Sequence, residues 1–165
     1  MIDLDKLKEL AENKEQETIK FFKKLKAKKP KNLDVIVKDL HYEVFNKIDC
    51  LNCANCCKTL GPRLTERDIK RLSKHLKLTE DKFIKQYLKI DEDNDFIFAN
   101  MPCPFLLSDN YCMVYEYRPK ACREYPHTDQ RKFYKLLNIT RKNAPTCPAV
   151  YEIIEKLKEN YSIMK

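Results

Sequence analysis

Half of the eight cysteines of this 165-residue chain lie in one run, Cys50-Leu51-Asn52-Cys53-Ala54-Asn55-Cys56-Cys57. Thiolates separated by two residues can turn back onto the same metal ion, and CxxC units therefore recur in zinc and iron–sulfur sites. Neighbouring side chains are expected to diverge, so Cys56 and Cys57 should serve two metals, or one metal and an adjacent role. The run therefore predicts metal chemistry.

The other four cysteines follow this run, and they are the candidates that complete the site. Four thiols on one loop cannot close a pair of four-coordinate sites alone. Prolines flank several of the later cysteines and fix the local backbone, which reduces the chain entropy lost when a metal binds. The predicted metal ligands are therefore all eight cysteines: Cys50, Cys53, Cys56, Cys57, Cys103, Cys112, Cys122 and Cys147.

Disulfides and unliganded buried thiols are the alternatives to metal binding. The N-terminus carries charges in place of the apolar run of a signal peptide. No stretch approaches the roughly 18 apolar residues of a membrane span. We therefore expect a reduced, cytoplasmic protein with no membrane association, in which clustered cysteines bind metal rather than pair with one another.

The charge and glycine content narrow the classes of partner. Gly61 is the only glycine, which excludes the glycine-rich loops that cradle phosphates. The formal net charge is +8, but eight thiolates with two zinc ions would lower it to about +4. A protein partner is possible, and nucleic acid is not the expected one, because no aromatic residues are interleaved in sequence with the basic run after the cysteines. That run comprises Lys58, Arg63, Arg67, Lys70, Arg71, Lys74 and Lys77.

The fold predicted from the hydrophobic pattern is mainly α with small β-hairpins (α+β), in a single compact domain around a cysteine-bound metal site. Charged helices at 1–49 should pack on a cysteine-cluster region at 50–148, followed by a C-terminal helix at 149–165. Apolar spacing predicts helices over 2–29, ended by Pro30, and from Leu33 to Ile48.

The region after the first cysteines carries clear local signals. Thr65 and Thr79 are predicted N-caps of an αα-hairpin over 65–76 and 79–89. Two short β-hairpins are predicted between residues 90 and 115, around acidic and polar turns. Pro148 suits the first position of the C-terminal helix, which places Cys147 at or beside its N-cap.

The order and spacing of four segments resemble the YkgJ-like cysteine-cluster proteins, whose domain is described as zinc- or iron-chelating. The resemblance runs from about residue 50 to 148. It implies metal or iron–sulfur binding in a bacterial-type cytoplasmic protein, in a family that includes a flagellin lysine methylase branch. Nothing in this chain extends that methylase activity to it. The segments are Cys50-x2-Cys53-x2-Cys56-Cys57, Pro102-Cys103-Pro104-Phe105-Leu106, Cys112-x2-Tyr115 and Arg118-Pro119-x2-Cys122-Arg123-x-Tyr125-Pro126.

The identity of the metal is left open by the ligand pattern. Cys50, Cys53 and Cys56 match the first three ligands of bacterial ferredoxins, but Leu60 stands at the fourth position. A distant cysteine followed by proline, Cys103 or Cys147, would have to replace it. This spacing favours an iron–sulfur cluster slightly over zinc held by two four-cysteine sets, because zinc sites more often pair two CxxC units.

The predicted function is therefore metal binding with an accessory role in electron transfer or metallocentre assembly. The alternative is a structural zinc module that binds a protein or nucleic-acid partner. No catalytic residue is predicted, and whether the protein is an enzyme stays open. His127 could be a spare ligand, and Arg118 and Arg123 could hydrogen-bond cluster sulfurs, offset thiolate charge or simply pack.

Overall fold

The structure is a computed structural model that describes residues 3–163, and these residues form two compact units. Unit 1 consists of the described parts of Met1–Asp49 and Pro126–Lys165, and unit 2 is Cys50–Tyr125. Unit 2 begins at residue 50, as does the predicted cysteine-cluster region, but it ends at residue 125, whereas that region was predicted to extend to residue 148. The organisation as one domain stays a prediction.

The described residues are mostly helical and contain a small antiparallel sheet, which confirms the predicted fold class in its coarse form. No helix within residues 3–163 is both long and apolar enough to cross a membrane. The helices are α1 (Leu4–Asn13), α2 (Glu15–Lys28), α3 (Leu33–Phe45), α4 (Cys50–Cys53), α5 (Asn55–Thr59), α6 (Glu66–His75), α7 (Glu80–Tyr87), α8 (Lys120–Glu124), α9 (Leu137–Asn143) and α10 (Pro148–Ile163). The strands are β1 (Arg63–Leu64), β2 (Leu88–Ile90) and β3 (Phe96–Phe98), and short 3-10 turns lie at Tyr115–Tyr117 and Phe133–Lys135.

The helix predicted over 2–29 is two helices, and its residue 2 lies outside the described part of the chain. Lys14 ends α1 and precedes α2 with a backbone near φ −95° and ψ −1°. Lys29 then adopts a left-handed conformation and donates its N–H to Leu25, which ends α2 just before Pro30 as predicted. The apolar stripe is interrupted between Leu10 and Ile19, which is where α1 ends and α2 begins.

Unit 1 is built on helices whose apolar faces meet in one core. Val37 and Val44 of α3 and Val150 and Ile153 of α10 are among the residues buried there. The carboxylate of Asp34 accepts hydrogen bonds from the backbone N–H groups of Lys132, at 2.7 Å, and Phe133, at 2.9 Å. These two residues lie at the start of the second 3-10 turn. The predicted C-terminal helix is confirmed, with Pro148 as its first residue.

Unit 2 begins with the cysteine run and continues into the predicted αα-hairpin. The side chains of Thr65 and Thr79 cap α6 and α7 as predicted, and Thr65 forms a full capping box with Asp68. The apolar faces of these helices cover a core that includes Leu72, Phe83 and Phe105.

The small sheet has the strand order β1-β3-β2, and both pairs are antiparallel. Strands β2 and β3 form the first predicted hairpin, with Leu88 opposite Phe98. The second predicted hairpin is reduced to a single bridge between Leu106 and Cys112. The strands around that turn are therefore too short to form a ladder.

Candidate metal centre

The CxxCxxCC run folds as two short helices joined at Ala54. This residue is buried and adopts a left-handed backbone, with φ 47° and ψ 15°, and its N–H donates to the carbonyl of Cys50 at 2.7 Å. A non-glycine residue rarely takes this conformation. The reversal places Cys50 and Cys53 on α4, and Cys56 and Cys57 on α5.

Cys56 and Cys57 lie closer together than the sequence analysis expects. Their sulfur atoms are 4.0 Å apart, so the prediction that these side chains diverge is wrong. The contact with Cys56 is the largest cause that lowers the pKa of Cys57 to about 7, with help from the charges of Arg118 and Lys58 and against the effect of burial. The thiol of Cys57 therefore ionises more readily than an ordinary cysteine.

Three later cysteines of unit 2 come from three different local structures. Cys103 lies in a loop and donates its N–H to the carbonyl of Cys57 at 2.9 Å. Cys112 forms the single bridge with Leu106, and Cys122 lies on α8. All three are half-buried.

The pKa shifts show that these three thiols and Cys57 interact. Burial is the main reason that the pKa of Cys122 rises to about 12, and the thiols of Cys103, Cys57 and Cys112 raise it further. Burial, then Cys112 and Cys57, raise the pKa of Cys103 to about 11. Burial and Cys57 also raise the pKa of Cys112. We call Cys57, Cys103, Cys112 and Cys122 the four-thiol set.

Backbone N–H groups point at two sulfurs of this set. The N–H groups of Phe105 and Leu106 lower the pKa of the Cys103 thiol, and that of Val114 lowers the pKa of the Cys112 thiol, in each case against the larger effect of burial. Hydrogen bonds from N–H groups favour the charged form of a sulfur atom. The two loops therefore present N–H donors that suit thiolate ligands, as hydrogen bonds around metal ligands commonly do.

A buried carboxylate fixes the segment that carries Cys122. Asp68 of α6 is 1% exposed. Its Oδ1 atom accepts the N–H of Lys120, the first residue of α8, at 3.0 Å and the guanidinium of Arg71 at 2.9 Å. Its Oδ2 atom accepts the N–H and the hydroxyl of Thr65 at 3.0 and 2.7 Å. The position of Asp68 in the first turn of α6 gives no sign of this tertiary role.

The two arginines near Cys122 have different surroundings. Arg118 lowers the pKa of Cys57, Cys112 and Cys122 through its charge, which is the charge-offsetting role considered for it from the sequence. Its Nε atom donates to the carbonyl of Tyr115 at 2.7 Å. Arg123 donates instead to the carbonyl of Arg118 at 2.6 Å.

The remaining predicted ligands differ in their burial and in the unit to which they belong. Cys50 is exposed and Cys53 is half-buried. Cys147 belongs to unit 1, where it packs against the core and its N–H donates to Asn143 at 2.9 Å. His127, also in unit 1, has a left-handed backbone and contacts the side-chain amide of Gln130. That all eight cysteines bind metal stays a prediction.

The donor set suits a soft metal centre, although its atoms do not surround one point. Among residues 3–163, no three His, Cys, Asp or Glu side chains converge closely enough to hold one ion in common. The four-thiol set nevertheless offers soft ligands with hydrogen-bond donors beside two of them. Thiolates of this kind select zinc and iron–sulfur centres over hard cations such as magnesium or calcium.

Comparison with known proteins agrees with this chemistry. Residues 49–148 match the model of the CxxCxxCC family, described as a "putative zinc- or iron-chelating domain". The chain belongs to this family. It is also 28% identical over 123 residues to an uncharacterised protein of Methanocaldococcus jannaschii; the match covers 73% of this chain and 63% of that protein. No solved structure matches the chain.

Proposed function

We propose that this protein holds an iron–sulfur cluster through the four-thiol set and acts as an accessory redox protein. The observation that carries the proposal is the interaction of Cys57, Cys103, Cys112 and Cys122 within unit 2. Its chelating chemistry agrees with the family to which the chain belongs.

Electrostatics explain why this set needs a metal centre. Four ionised thiols in half-buried positions repel one another, and burial penalises each charge. The raised pKa values of Cys103, Cys112 and Cys122 express this cost. A cationic centre removes the cost, and the N–H groups of Phe105, Leu106 and Val114 would then stabilise the bound thiolates.

A cluster and a single ion place different geometric demands on their thiolates. A single tetrahedral ion requires its ligands to converge on one point, whereas the thiols of an iron–sulfur cluster bind different irons and lie further apart. The described residues contain no convergent trio of metal-binding side chains. A bound cluster would supply one-electron transfer, with a potential tuned by hydrogen bonds to sulfur and by burial.

One observation favours the second candidate, a structural zinc site. The sulfurs of Cys56 and Cys57 are 4.0 Å apart. Two thiolates that bind one tetrahedral zinc ion at about 2.3 Å would lie roughly 3.8 Å apart. Zinc closed by four thiolates would have no open position, and the site would stabilise the fold without reacting.

The test is a metal and sulfide analysis of protein purified without oxygen. Iron, zinc and acid-labile sulfide are measured on one sample together with its visible absorption spectrum. A coloured sample with equal iron and sulfide would support the cluster. A colourless sample with stoichiometric zinc would replace the cluster with the structural site, and a sample without either metal would overturn both.

A further inference from the structure

The exposed side of helix α6 is strongly basic. At 100° per residue, Lys70, Lys74, Arg67, Arg71 and His75 fall within an arc of about 140°. The opposite side of the helix carries the buried residues, which include Ile69 and Leu72. The basic residues therefore form one continuous face of the helix.

Aromatic rings lie beside this face, on the 3-10 turn at Tyr115–Tyr117. The imidazole of His75 stacks on Tyr117 with ring centroids 3.9 Å apart and planes 17° from parallel. The guanidinium of Arg118 lies 3.4 Å from the centroid of Tyr115. Tyr115 is 55% exposed and Tyr117 is 38% exposed. Each ring therefore has one face covered by a basic residue and further surface open to solvent.

Hydrogen bonds hold the aromatic turn against the basic helix. Arg71 donates to the carbonyls of Tyr117 at 3.3 Å and Arg118 at 2.6 Å. Arg123 also donates to the carbonyl of Arg118, at 2.6 Å. The rings are thus positioned before any ligand arrives, which reduces the entropy lost on binding.

The positive charge of the helix face has little compensation within unit 2. The ion pairs among its described residues are Arg63–Asp95, Arg71–Asp68 and Lys120–Glu124. None of these pairs involves Arg67, Lys70 or Lys74. Glu116 is an exposed carboxylate between the two tyrosines, and Glu66 is an exposed carboxylate one helical turn before Lys70; a polyanion would have to tolerate both.

We propose that these residues bind single-stranded nucleic acid. Arg67, Lys70 and Lys74 would contact phosphates, and bases would stack on Tyr115 and Tyr117. Stacked rings beside uncompensated cations suit a chain of bases and phosphates better than an acidic protein, which offers charge without flat faces. This inference goes beyond the proposed function and does not depend on which metal the protein holds.

The test is fluorescence anisotropy of a labelled twelve-nucleotide strand, oligo-dT or oligo-U, titrated with the full-length, metal-loaded protein. We expect binding to both strands that weakens steeply as salt rises. Lys70→Ala/Lys74→Ala should reduce the slope of log affinity against log salt by about 1.4, because each lysine that pairs with a phosphate adds about 0.7 to that slope. A difference between the two strands would show whether DNA or RNA is preferred.

Matched variants separate a specific surface from general charge attraction. Lys82→Ala/Lys85→Ala removes the same charge from exposed positions of α7 and should leave the affinity nearly unchanged. Tyr117→Leu should weaken binding about 5- to 150-fold if a base stacks on the ring. Glu116→Gln should tighten binding, since it removes an exposed negative charge from the turn that carries the two tyrosines. Each variant is compared with the wild type by circular dichroism and thermal unfolding.

Three results would overturn the inference. The first is no anisotropy change at low salt. The second is an equal loss of affinity in the α6 and α7 lysine variants. The third is that polyglutamate binds as tightly as the nucleic-acid strand and that Tyr117→Leu does not change the affinity for that strand. This result would identify a surface for acidic proteins. None of these outcomes would alter the metal content on which the proposed function rests.

Discussion

The buried carboxylate of Asp68 gives the sharpest prediction about how unit 2 is held together. Asp68→Asn keeps the shape of the side chain but replaces one carboxylate oxygen with an NH2 group, which cannot accept. Either the two Thr65 donors or the Lys120 and Arg71 donors then lose their acceptor. An unsatisfied buried donor costs about 1–3 kcal/mol, so the expected loss in free energy of unfolding is about 2–4 kcal/mol.

The measurement is denaturant unfolding of metal-loaded protein at pH 7, followed by circular dichroism. For a unit of about 60–100 residues the same loss corresponds to a melting temperature lower by roughly 8–32 °C. Glu66→Gln is the matched control, because it removes an exposed carboxylate from the first turn of the same helix. An Asp68→Asn variant within about 0.5 kcal/mol of this control would refute the anchoring role.

The pKa of Asp68 determines how the difference in unfolding free energy between wild type and Asp68→Asn depends on pH. Burial alone would raise that pKa, but the hydrogen bonds from Thr65 and Lys120 and the charge of Arg71 outweigh it, and the pKa is lowered. The carboxylate therefore stabilises the fold above its unfolded pKa of about 3.9, and this stability is lost as pH falls through the lower folded pKa. The difference between wild type and Asp68→Asn should stay constant from about pH 8 to 5 and shrink below about pH 4.

Three further predictions concern proton release and unit 1. Metal loading of the four-thiol set should release about three to four protons per centre at pH 7, because three of its thiols have raised pKa values and the fourth has a pKa near 7. Metal affinity should therefore fall as pH falls. Calorimetry in buffers of different ionisation enthalpy measures the number of protons released, and a release below about two protons per centre would contradict the prediction. Asp34→Ala should lower the free energy of unfolding by about 1 kcal/mol through loss of the Lys132 and Phe133 bonds, and an equal effect of the exposed Asp39→Ala would argue against it. Lys158→Met should cost about 1 kcal/mol in urea unfolding, because the Lys158 side chain is 10% exposed and its ammonium pairs with Glu17 and Glu155. An unchanged unfolding midpoint would contradict this prediction.

Local signals in the sequence predicted local structure well. Thr65 and Thr79 cap their helices because the cap requires only residues three positions apart. Pro30 and Pro148 mark helix boundaries for a similarly local reason, the fixed φ angle and missing N–H of proline. These features depend little on the rest of the fold.

Features that depend on tertiary packing could not be predicted from the sequence. The interaction of Cys57 with three later thiols depends on how loops of unit 2 return to α5. Spacing within the run instead matched Cys50, Cys53 and Cys56 to the first three ligands of a ferredoxin, with Cys103 or Cys147 as the fourth. The aromatic rings beside α6 lie some forty positions later in the chain, so the basic run looked free of aromatic residues. The full role of Asp68 also required Lys120, whose approach no short pattern encodes.

One measurement tests directly whether the four-thiol set holds the metal centre. Iron, zinc and labile sulfide are determined per chain in wild type and in Cys103→Ala/Cys122→Ala, both purified without oxygen. We expect the variant to lose the entire cluster, because two of its four thiolates are gone, while unit 1 keeps its helices. A variant with the metal and sulfide content of the wild type would show that other cysteines hold the metal centre.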